Sequence, residues 1–93
     1  MKIRRTSQAL SGFREVSSYV LQSFGVNALR EFRQRVRETE QTIMQMPNIG
    51  TIEWIEEGVI YRSVTIKRRN KLLYFVKDDY IYLADFWDTR SNK

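Results

Sequence analysis

Three apolar runs, separated by breaks too short to hold a helix, constrain this chain more than any other feature. Val59 to Ile66, Leu72 to Val76 and Tyr80 to Trp87 are rich in Val, Ile, Leu, Tyr and Phe, with the basic knot Lys67-Arg68-Arg69-Asn70-Lys71 and then Asp78-Asp79 between them. A parallel pair needs a crossover of about a dozen residues or more, so these neighbours must pair as antiparallel hairpins. The stretch from Val59 to Arg90 therefore predicts a three-stranded meander. Asp78-Asp79 suits a tight turn with left-handed backbone, and Asn70 suits the same conformation in the basic knot. Strict alternation puts Arg62 on one face with Ile60, Val64 and Ile66, and Tyr61, Ser63 and Thr65 on the other. In the last run it sets Tyr80, Tyr82, Ala84 and Phe86 against Ile81, Leu83, Asp85 and Trp87. Neither face is plainly polar, so one needs a cover within the chain and the other a partner.

The cover is legible upstream. Lys2 to Arg5 reads as a short strand with Ile3 inward, and Thr6 and Ser7 are N-cap candidates for a helix running to Phe24. Its apolar positions Leu10, Phe13, Val16, Val20, Leu21 and Phe24 recur at helical spacing around Ser17, a small residue that lets another helix approach. Gly25 suits a helix stop and Asn27 an immediate restart, which predicts a helical hairpin. In the second helix Leu29, Phe32, Val36 and Ile43 form the stripe, with Met46 at its edge and Pro47 ending the pattern. Arg30, Arg33 and Arg37 flank that stripe and read as a solvated edge beside Glu31, Glu38 and Glu40. Pro47-Asn48-Ile49-Gly50 opens a connector holding Trp54 and the acidic Glu53, Glu56 and Glu57, whose middle is ambiguous. No repeat, linker or low-complexity segment interrupts the 93 residues, which read as one α+β domain with the hairpin laid across an antiparallel sheet.

Charge and composition bound the chemistry. A formal net charge of +5 favours polyanions or acidic proteins as partners. The chain has no cysteine and no histidine, so disulfides, thiolate zinc sites and the usual general base are all absent. No metal or cofactor is expected. Met1-Lys2-Ile3-Arg4-Arg5 leads into no long apolar run, so no signal peptide or membrane span is expected and the cytoplasm is the expected address.

The order of these features resembles the RelE/ParE superfamily of toxins from type II toxin–antitoxin systems, the family that includes plasmid-stabilisation proteins. The resemblance rests on the short first strand, the turn at Ser23-Phe24-Gly25, Pro47-Asn48-Ile49-Gly50, Tyr61-Arg62-Ser63, the run Lys71 to Val76, and the ending Phe86-Trp87-Asp88-Thr89-Arg90. It implies a basic toxin held inactive by a cognate acidic antitoxin that wraps it, in a toxin–antitoxin hetero-oligomer. Two mechanisms occur in the family: ParE-like members poison DNA gyrase, and RelE-like members are metal-independent endoribonucleases that cut mRNA in the ribosome.

For the nuclease reading, the resemblance places Arg62, Lys71 and Arg90 on basic positions of the family. Two departures favour gyrase inhibition. Val64 stands where the nuclease branch carries a second lysine, and the sequence ends at Lys93, before that branch's catalytic tyrosine. Lys67, Arg68, Arg69 and Arg90 are the candidate contacts to nucleic acid or another target, since clustered cations on a turn can clamp phosphate. Tyr82, Phe86 and Trp87 are the candidate antitoxin contacts. The mRNA endonuclease remains the alternative, and a plain nucleic-acid-binding module is a third.

Overall fold

The computed structural model describes residues 1–67 and 69–88. Its elements run β1 (Lys2–Arg5), α1 (Ser7–Phe24), α2 (Val26–Gln45), β2 (Thr51–Glu56), β3 (Val59–Lys67), β4 (Asn70–Lys77) and β5 (Tyr80–Asp88). The strands form one sheet in the order β1-β5-β4-β3-β2. β2 to β5 are antiparallel neighbours, and β1 lies parallel to β5 at the far edge. The expected α+β architecture is present, and the meander has four strands because the ambiguous connector supplies β2. Among the described residues no helix is long and apolar enough to cross a membrane.

Local chemistry sets the element ends. Thr6 is the N-cap of α1: its hydroxyl accepts from the Ala9 N–H at 3.0 Å and donates to the Ala84 carbonyl at 3.0 Å, so one side chain caps the helix and ties it to β5. Thr6→Ala is expected to cost about 0.5–2 kcal/mol; an unchanged urea midpoint would show that neither bond matters to stability. Gly25 joins the helices at φ 93°, ψ −178°, a region open essentially to glycine alone. Gly25 also caps α2, so the expected role of Asn27 is corrected: it lies inside α2 and accepts from Arg30. The β2–β3 turn has Glu57 and Gly58 both at positive φ, as a two-residue hairpin with the sheet's twist requires. Asp78 adopts the left-handed conformation expected of it. Asn70 does not: it opens β4 opposite Lys67.

The core lies between the hairpin and one sheet face. Phe32, Val36 and Ile43 of α2 meet Leu72, Tyr74, Ile81, Leu83 and Phe86, with Ala9, Val16 and Val20 from α1. Phe13 joins them through a stacked contact with Phe32 at 5.9 Å and a tilted one with Phe86 at 5.6 Å. The α1 stripe is rotated from the one read in sequence. Ala9 is buried, whereas Leu10, Leu21 and Phe24 remain 42%, 42% and 65% exposed. Small residues decide the rotation, because a Cβ on Gly12 would stand 3.1 Å from Asp85 Oδ1 and 3.3 Å from the Phe86 nitrogen. Only a helix presenting Ala9 and Gly12 can come so close to β5.

β5 carries a second correction. Leu73 pairs with Asp85 but Tyr74 with Leu83, so Ala84 is an extra residue that interrupts the alternation. Beyond this bulge Phe86 joins Ile81 and Leu83 on the helix side, the face opposite to the one alternation gave it.

Candidate functional site

The hairpin leaves the other face of the sheet open, and aromatic rings pave it. Trp54 of β2 stacks on Tyr61 of β3 at 4.6 Å, Tyr61 meets Phe75 of β4 at 4.9 Å, and Phe75 stacks on Tyr82 of β5 at 5.0 Å. Tyr80 continues the row from Tyr82 at 6.2 Å, and the Arg4 guanidinium of β1 lies 4.1 Å from the Tyr80 ring centre. Trp87 leans across the sheet to within 6.1 Å of Trp54. Cross-strand register produces the row: Tyr61 opposes Phe75, and Phe75 opposes Tyr82. Leu73 is buried on this same side although it belongs to no helix-facing cluster. A depression of about 520 Å³ opens among Tyr61, Phe75 and Tyr82, with Glu56, Glu57 and Lys77 also lining it.

A polar group interrupts the aromatic surface. Glu53, the extra residue of a bulge in β2, accepts a 2.6 Å hydrogen bond from the Ser63 hydroxyl, and the Lys71 ammonium lies 3.8 Å from the same oxygen. A carboxylate, a hydroxyl and an ammonium thus sit side by side on the open face.

The other cations named from sequence are directed elsewhere. Arg62 lies on the helix side, where its Nη1 donates to the carbonyls of Asn48 at 3.0 Å and Gly50 at 2.9 Å. Lys67 pairs with Glu31 of α2 and holds that carboxyl below its ordinary pKa. Arg69 is exposed at the β3–β4 turn. Arg68 and Arg90 lie outside the described residues. Of the three residues assigned to nuclease chemistry, the structure thus puts Lys71 on the open face and Arg62 behind it. Of the expected antitoxin contacts, Tyr82 and Trp87 are on the open face, and Phe86 is corrected to the core. Trp54, Tyr61, Phe75 and Tyr80 complete the row, and none of them is among the target or antitoxin contacts expected from sequence. Their signal was the alternation that set Tyr61 opposite Arg62.

Arg62 belongs to a latch on the connector. The Tyr74 hydroxyl accepts from the Gly50 N–H at 3.0 Å and donates to the Pro47 carbonyl at 2.8 Å, so Tyr74 and Arg62 together hold residues 47–50 against the sheet. Burial raises the Tyr74 pKa, against lowering contributions from the Gly50 N–H and Arg62. Because the folded state then keeps this proton to higher pH than the unfolded chain, the associated stability is intact below about pH 10 and is lost as pH climbs beyond it. Tyr74→Phe is expected to cost about 1–3 kcal/mol at neutral pH, by leaving Gly50 and Pro47 unpaired, and to flatten the alkaline decline. Urea titrations at neutral pH and above pH 10 check both; parallel alkaline declines in the two proteins would exclude Tyr74 as the source.

No protein-family model and no curated protein matches the sequence. Solved structures do match the fold. A chain of the chromosomal ParDE TA system from P. aeruginosa superposes with a TM-score of 0.73 over 92% of both chains, at 19% identity. The YoeB dimer from Staphylococcus aureus gives a TM-score of 0.59 over 91% of this chain and 92% of that one, at 22% identity. The chain has a RelE/ParE-like fold.

Proposed function

We propose that this chain is the toxin of a type II toxin–antitoxin module, neutralised by an acidic antitoxin, and that it arrests growth by binding DNA gyrase in the ParE-like manner. The observation that carries the reading is the open sheet face: a continuous aromatic surface with Leu73 buried beneath it, uncovered by any other part of the described chain. Such a surface is characteristic of a protein contact. Likeness of fold to a chain of a ParDE TA system supports the same reading. A binding mechanism accords with the dispersal of the described cations, since Arg62, Lys67 and Lys71 each engage a separate structural partner and do not converge on one phosphate.

One observation favours the RelE-like alternative. Glu53, Lys71 and Ser63 meet on the open face, where they bring together a carboxylate, an ammonium and a hydroxyl, the group types that general acid–base chemistry on a phosphate uses. The two readings separate in one experiment, in which purified protein is added to gyrase supercoiling reactions and to translating ribosomes. Inhibited supercoiling with intact messages is expected. Cleaved messages with unimpaired supercoiling, and loss of cleavage in Glu53→Gln, would replace the first reading with the second.

A further inference from the structure

Strand β2 is an open edge of the sheet, and it exposes apolar side chains on both faces. The sheet order ends at β2, so among the described residues no strand pairs with its outer backbone groups. Ile52 and Ile55 are 51% and 62% exposed, with Ile60 and Trp54 exposed beside them. Ile55 opposes Ile60, and Ile52 opposes Arg62, whose side chain lies on the helix side; the three isoleucines therefore form one strip there that the hairpin does not cover. A free edge beside an uncovered apolar strip suits the addition of another strand.

The bulge at Glu53 decides which strand fits. It puts Glu53 and Trp54 both on the open face, so Thr51 to Glu56 alternate as open, helix, open, open, helix, open. That order is the same in either direction. Because opposed residues of an antiparallel pair share a face, β2 matches a second β2 along its whole length about a two-fold axis between Glu53 and Trp54. A regular strand of six residues could not, since reversing it exchanges the faces.

We propose that two copies of this chain join through β2 into a closed dimer with one ten-stranded sheet, five strands from each copy. In that register Ile52 opposes the partner's Ile55, and the two isoleucine strips merge. No glutamate directly opposes another: Glu56 meets the partner's Thr51, and Glu53, opposite the partner's Trp54, is turned inward to its own Ser63 and Lys71. Thr51 lines a cavity of about 510 Å³ together with Arg35, Glu38 and Lys71, so the partner's Glu56 arrives beside two cations. Strand β1, the other open edge, is a poorer occupant, because its four residues are too few to cover β2. The proposal stands whether or not the chain is a toxin.

Sedimentation of the full chain is expected to show a monomer–dimer equilibrium, weakened about tenfold or more in Ile55→Lys, which sets a charge in the merged strip, and unchanged in Leu10→Lys on the hairpin. Cross-linking reads the register, because the chain has no cysteine of its own. Opposed Cα atoms stand about 4.5–5.5 Å apart, within disulfide reach, whereas Ile52 and the partner's Ile52 are offset by about 10 Å along the strand. Under mild oxidation, Ile52→Cys mixed with Ile55→Cys should therefore form a disulfide dimer about tenfold faster than either variant alone. The proposal is overturned if the chain stays monomeric up to about 1 mM, or if Leu10→Lys weakens association as much as Ile55→Lys does. It also fails if either cysteine variant alone cross-links as fast as the mixture, or if assemblies keep growing beyond the dimer.

Discussion

Phe32→Ala is expected to lower stability by about 3–5 kcal/mol, a large part of the total that a domain of this size possesses. Phe32 is 1% exposed and stacks on Phe13, which in turn meets Phe86 of β5. These three rings join both helices to the last strand. Removing the Phe32 ring leaves a cavity that neither helix can readily close, because α1 is already held against β5 at Gly12 and by the Thr6 cap. The urea midpoint should fall with the slope unchanged. A loss of only a few tenths would mean that the hairpin is not packed on the sheet through this residue.

Gly50→Ala is expected to be nearly as damaging, on the order of 3 kcal/mol, although it adds one methyl group. A Cβ at that position would lie 2.8 Å from the Tyr74 hydroxyl, 2.9 Å from Arg62 Cβ and 2.9 Å from Tyr74 Cε1. Both neighbours are the side chains of the latch, so relief of the clash separates groups that hydrogen-bond residues 47–50. Overpacking and loss of the Tyr74 bonds therefore add. A matched Gly25→Ala variant is informative, because there a Cβ meets no neighbour within 4 Å and the cost is one of backbone conformation alone. If Gly50→Ala retained the wild-type midpoint while Gly25→Ala lost stability, the latch would have no energetic role.

These sites also mark what was legible in the sequence. The Thr6 cap, the stop at Pro47 and the turn at Asp78 follow from the chemistry of a few adjacent residues, and all were readable. The rotation of α1 was not, because Leu10, Leu21 and Phe24 recur at as regular a helical spacing as the buried residues do. Choosing between them depends on the close approach of Ala9 and Gly12 to β5, which is tertiary. Strand β2 was obscured for another reason: as an edge strand with a bulge at Glu53 it shows no clean alternation, and Glu57-Gly58 is a weaker turn signal than Asn-Gly or Asp-Gly. The bulge at Ala84 left no mark in composition, yet it decides that Phe86 is core while Trp87 stays on the open face. Alternation put Tyr61, Tyr80 and Tyr82 on strand faces, whereas Trp54 and Phe75 were assigned to none. Their union into one row needed the register of four strands.

The central claim, that this is a toxin whose open face is covered by a neutralising partner, is tested most directly by induction in its own host, with colony-forming units counted over time. Growth arrest is expected on expression alone, with rescue by co-expression of an adjacent gene product that binds the chain stably on size exclusion. Protection from hydrogen exchange in that complex should reach the strands carrying Tyr61, Phe75 and Tyr82. Harmless expression of folded protein in that host without the neighbour would contradict the account.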